Sequence, residues 1–180
     1  MLTNEIILDS LGRVHELVPA VLENLSREDI LWQPDIIANS IGWLIWHLTR
    51  VEDEQMADLV KEKSVWLRKH FYERFDLPYP KNASGFGMNE ADVAKFSVPD
   101  AKLLIEYSAA VAEQSRKIVE ELSEKDFTKI IDKSWDPPVT IAMRIVSIIN
   151  DITQHIGQAA YVRGLRERVI GRESGWVGYV

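Results

Sequence analysis

The chain has 180 residues, 46% hydrophobic and 27% charged, a balance that suits one folded domain over residues 1–180 and excludes a disordered chain. A formal net charge of −7 with no local basic stripe argues against nucleic acid as a partner. There is no cysteine, which excludes disulfides, thiolate metal ligands and a protein-borne thiol nucleophile.

The N-terminal run MLTNEIILDS lacks the basic start and apolar core of a signal peptide. Arg144 and Asp151 interrupt the longest apolar run before it reaches membrane-span length. The expected location is therefore the cytoplasm, with no membrane partner.

Helical periodicity dominates and strand alternation is almost absent. A first helix is predicted over residues 3–25, because Ile7, Leu11, Val14, Val18, Val21 and Leu25 keep the spacing of a bundle stripe. SRED at residues 26–29 reads as a capping box for a short extra turn, ended by Pro34. Asn39 or Ser40 caps a second helix over residues 41–63, whose inward stripe is Leu44, His47, Leu48 and Val51. Arg50, Glu52, Asp53 and Glu54 read as a mostly solvated face of it. Residues 64–96 are rich in aromatics and loop formers and read as a long, partly helical crossover over one end of a bundle.

SVPD at residues 97–100 reads as the next capping box, opening a third helix that runs to about Leu122. SEKD at residues 123–126 repeats the short capped turn, and this echo of residues 25–29 suggests two similar helical hairpins. Pro137 and Pro138 make a break. A fourth helix is predicted over residues 140–165, and the tail at about 168–180 reads as irregular. The expected fold is all-α, a four-helix bundle with a long crossover between the second and third helices.

Ile141, Ile145, Ile148, Ile152, Ala159 and Val162 mark the inward stripe of the fourth helix. Asp151 and His155 lie on that stripe one helical turn apart, so their side chains stack on one face. His47 holds an inward position on the second helix. An unpaired carboxylate inside an apolar bundle is costly, and a divalent cation between two imidazoles and a carboxylate resolves the conflict. A hydrogen-bonded core histidine beside a buried Asp–His pair is the other reading that spacing alone leaves open. His15 and His70 read as structural or solvent-facing, and Trp43 and Trp46 as core or pocket wall.

NSIGWLIWHLTRVEDEQ at residues 39–55 and DITQHIGQAAYVRG at residues 151–164 resemble the two signature stretches of the DinB-like superfamily. That superfamily includes mycothiol-dependent maleylpyruvate isomerases and related thiol transferases. The resemblance implies a four-helix bundle with a long crossover. It also implies a divalent metal on a histidine late in the first stretch and on a carboxylate-or-histidine/histidine pair in the second. These positions are His47, Asp151 and His155. Many members carry histidine or glutamate where this chain has Asp151, which bears on metal identity and affinity.

Three protein ligands leave a position open, as in catalytic zinc sites. The expected metal is zinc, with nickel or iron as the other candidates. With no cysteine in the chain, a reactive thiolate must come from a small co-substrate, which the resemblance implies is of the mycothiol or bacillithiol type. The expected activity is attack of that thiolate on an electrophilic small molecule, with the aromatic linker and residues 85–87 walling the pocket. The alternatives are a non-enzymatic, stress-associated metal-binding bundle and a non-haem iron enzyme.

Arg50, Arg144 and Arg163 are candidates to receive a carboxylate-bearing ligand, because they are near the metal residues in sequence. Val146, Ile149 and Ile156 lie off the metal stripe, so the linker or a second subunit is expected to cover them, a two-fold dimer being the simplest arrangement.

Overall fold

The structure is a computed structural model and describes residues 3–172. Four long helices form the body: α1 (Thr3–Leu22), α3 (Ile41–Leu59), α7 (Ala101–Glu121) and α8 (Ile141–Val169). They close a ring in the order α1, α7, α3, α8, each helix packing on two neighbours. The fold is the expected all-helical bundle. The links from α1 to α3 and from α7 to α8 cross the diagonals of this ring, so neither pair forms the tight hairpin that the echoed SRED and SEKD runs suggest. The long linker joins the neighbours α3 and α7.

The stripes fill the interior as their spacing requires. Ile7, Leu11, Val14, Val18 and Val21 of α1 are buried, as are Ile141, Ile145, Ile148 and Ile152 of α8. Ser26 Oγ accepts from Asp29 N while the Asp29 carboxylate accepts from Ser26 N, the full capping box, and opens α2 (Arg27–Leu31). Ser40 caps α3 through Trp43 N, and Thr140 caps α8 through Met143 N. At residues 97–100 the cap is Asp100, which accepts from Leu103 N, and not Ser97. Pro99 disfavours the helical conformation for the residue before it, so α7 begins only after the proline.

The linker folds into α4 (Val65–Arg68), α5 (Phe71–Phe75) and α6 (Glu90–Val93). Its aromatic residues pack across α3 and α7: Trp66 on Trp46 and Tyr107, Phe71 and Phe75 on Tyr107, and Tyr79 and Phe96 on Trp46. The solvated reading of the α3 face is overturned: the linker covers Arg50 and Asp53, both 0% exposed, and His15 of α1 and Ser115 of α7 meet Glu52, which is 2% exposed. The Asp53 carboxylate accepts from Val65 N at 2.7 Å, Trp66 N at 2.8 Å and Tyr107 Oη at 2.8 Å, so it caps α4 from below. Arg50 lies 3.7 Å from Asp53, pairs with Glu54 and donates to Ala83 O at 3.0 Å.

A two-stranded hairpin also forms, β1 (Ile130–Asp132) with β2 (Val139–Thr140), after a 3-10 turn at Asp126–Thr128. Strands this short carry too little period-2 alternation to show in a sequence. The helix α8 continues to Val169, past the expected end at residue 165. The expected irregular tail otherwise lies mostly outside the described residues.

Candidate metal centre

His47 is in the middle of α3, facing α8, because Leu44, Leu48 and Val51 put that side of the helix against its neighbour. Asp151 and His155 stand one turn apart on α8 between the buried Ile148, Ile152, Ile156 and Ala159. The packing of α3 on α8 brings the three together, and one ligand atom from each lies within 4.8 Å of the others. The two imidazoles meet edge to face at a centroid separation of 4.7 Å, and His155 Nε2 is 3.7 Å from Asp151 Oδ1. His47 is buried, whereas His155 and Asp151 are partly open to solvent.

Both histidines have their Nδ1 atoms engaged elsewhere. His47 Nδ1 lies 2.6 Å from the carbonyl oxygen of Ser84, and His155 Nδ1 lies 3.0 Å from Gln158 Oε1. Because a carbonyl oxygen only accepts, the His47 proton is on Nδ1, and Nε2 is left with a lone pair. The His47 ring also stacks on Trp43 at 4.7 Å and 19°. Burial pulls the His47 pKa below its usual range, against the opposing pull of the Ser84 carbonyl, and so favours the neutral ring. Asp151 Oδ2 is buried and has no hydrogen-bond partner among the described residues.

Two imidazole nitrogens and an orphaned carboxylate oxygen form a donor set that suits a divalent ion, so the residues present fit a metal. The hydrogen bonds to Ser84 O and Gln158 Oε1 are of the kind that orient metal-ligating histidines. Sequence reasoning missed both partners. The Ser84 contact is made by backbone and leaves no side-chain signal except the neighbouring Gly85. Gln158 stands three residues after His155 on the same helix face, and that spacing was available to find it.

The arginines proposed for a carboxylate ligand are otherwise occupied. Arg50 is enclosed by Glu54, Asp53, Tyr107 and Ala83. Arg163 donates Nη1 to Ala20 O at 2.6 Å and Val21 O at 3.1 Å, closing the C-terminal end of α1. Arg144 is 3.7 Å from Asp132 of the hairpin. Residues 85–87 split in role, since Gly85 packs on His47 while Phe86 is 91% exposed and walls nothing. His15 is 3.0 Å from Glu52, and His70 is exposed beside Glu73.

The profile of the DinB superfamily matches residues 10–159, most of the chain. The chain belongs to the DinB superfamily. This DinB-superfamily chain is also similar to a conserved protein from Enterococcus faecalis known from a crystal structure. The two share 31% identity over 96% of this chain and 99% of that chain, with a TM-score of 0.87. No curated protein matches the sequence. No described helix is long and apolar enough to cross a membrane.

Proposed function

We propose that His47, Asp151 and His155 hold one divalent metal ion, zinc before nickel or iron, and that the protein is a metal-dependent transferase. Its substrates on this reading are a low-molecular-weight thiol, of the mycothiol or bacillithiol type, and an electrophilic small molecule. The observation that carries it is Asp151 Oδ2, buried without a partner among the described residues, beside two imidazoles whose Nδ1 atoms are already engaged. A divalent ion supplies Lewis acidity at such a site and lowers the pKa of a coordinated thiol or water. Ser84 and Gln158 orient the rings, Trp43 covers one face of His47, and the partly open Asp151 and His155 leave a side for substrate. The absence of cysteine from the chain supports an external thiol.

Two measurements test the reading. Elemental analysis of tag-free protein is expected to give one metal per chain, lost in His47→Ala. Metal-loaded protein is then expected to conjugate a small thiol to at least one member of an electrophile panel, and failure across the panel rejects the transferase. A second reading has support in the extensive packing of α3 on α8: the metal acts as a clamp between these helices. Chelation that lowers the melting temperature while no thiol binds favours the clamp.

A further inference from the structure

A cavity of about 490 Å³ opens between α1 and α7, lined by groups of those two helices and by neither metal-site helix. Its volume lies within the range of small-ligand pockets, roughly 300–1,000 Å³. Leu8, Leu11, Ile105, Ala109 and Ala112 make its walls apolar, and His15, Ser108 and Glu16 supply polar groups. Behind His15 lies Glu52 of α3, whose Oε2 is 3.0 Å from His15 Nε2 and whose Oε1 accepts from Ser115 Oγ at 2.6 Å. No lysine or arginine pairs with Glu52 among the described residues, so this buried carboxylate has no fixed cation. Burial pushes this carboxyl up to about 7, and a positive charge nearby favours its ionised form, so above that pH a bound cation and the Glu52 carboxylate stabilise each other.

The cavity mouth has the same sign. Glu16 is exposed there, and the one cation of the lining, Arg116, is held by Glu113 and Glu120. His15, with Nε2 committed to Glu52, turns the rest of its ring to the cavity. We propose that this cavity is a second ligand site, for a small organic cation with an ammonium group on a compact hydrocarbon body. The hydrocarbon fills the apolar walls, and the ammonium sits by His15 and Glu16 in the field of Glu52.

The test uses three probes of matched size and different charge: 2-phenylethylamine, 2-phenylethanol and 3-phenylpropionate. Binding is followed by ligand-observed NMR and calorimetry on the full chain at pH 8, where Glu52 is ionised and the amine is still protonated. The amine is expected to bind at least tenfold more tightly than the alcohol, with the carboxylate weakest. Glu52→Gln is expected to remove most of that preference. His47→Ala is expected to leave amine binding unchanged, which separates this cavity from the metal centre.

Gly12 lines the cavity in mid-helix, and a Cβ there meets nothing within 4 Å, so Gly12→Leu is expected to fold, checked by circular dichroism, and to fill the space. That variant is expected to abolish amine binding. Equal binding of all three probes, no binding by any of them, a preference that survives Glu52→Gln, amine binding lost in His47→Ala, or amine binding that survives Gly12→Leu would each overturn the proposal. So would a dimer that buries the groove and excludes the probes.

Discussion

A methyl group at Gly85 would meet His47 Nδ1 at 2.6 Å and Trp43 Cζ2 at 3.0 Å, on a backbone whose φ of +96° already disfavours an L side chain. The carbonyl that fixes the His47 tautomer belongs to the preceding residue. Gly85→Ala is therefore expected to weaken metal binding by about 10–100-fold, the usual cost of losing a ligand-orienting contact. Competition with a chromophoric chelator measures this, and unchanged affinity would show that Ser84 does not orient the ring. His15 and Glu52 carry a second residue-level prediction. Burial pulls His15 down to about 4 from 6.5 and pushes Glu52 up to about 7 from 4.5, with Ser115 opposing the Glu52 shift and Asp53 adding to it. A lowered His15 contributes stability that grows as pH rises from 4 to 6.5, and a raised Glu52 contributes stability that is lost as pH rises from 4.5 to 7. The two nearly cancel where they overlap, because the pair holds a single proton in both folded and unfolded chains. Glu52→Gln removes only one half, so its stability deficit is expected to shrink by roughly 2–3 kcal/mol between pH 4.5 and 6.5. Urea unfolding of both proteins at the two pH values checks it, and a constant deficit rejects the compensation.

The helix α3 shows how a short charged run is misread when only its own periodicity is considered. Leu44, His47, Leu48 and Val51 mark one inward face, and the polar residues after them match an outward one. The linker returns over α3, and Asp53 becomes the N-terminal cap of α4 and the partner of Tyr107 and Arg50. Asp53→Ala leaves two backbone N–H groups and a buried guanidinium without this carboxylate. The expected cost is about 3–5 kcal/mol, the range for breaking a buried pair on one side, read from the urea midpoint. A loss under about 1 kcal/mol, as for a surface pair, would show that the network is not structural. On α8, Ile156 is buried and Ile149 packs against the core, so Met143 and Val146 are the exposed apolar groups one turn apart near its start. The two-fold dimer we propose from this helix rests on them, and light scattering at micromolar concentration decides between monomer and dimer.

For the whole molecule, the proposed metal between α3 and α8 would couple the site to global stability, because the folded chain brings the three candidate ligands together. At a metal concentration a thousandfold above its dissociation constant, the stabilisation is about 4 kcal/mol. For a chain of this length that is roughly 8–16 °C in melting temperature. Calorimetry with and without chelator reads it, and an identical transition in both rejects a metal bound to the folded state. The all-helical bundle, the stripes of its first, second and fourth long helices and the inward positions of His47, Asp151 and His155 were legible in the sequence. Burial at a spacing of three and four residues is a local property, and a side chain's place on a helix face needs no knowledge of the partner. Ring order, the burial of Arg50, Glu52 and Asp53, the Ser84 contact to His47 and the α1–α7 cavity were not legible. Each depends on which surface arrives from far along the chain, and that is settled only when the linker and four helices compete for the same apolar area.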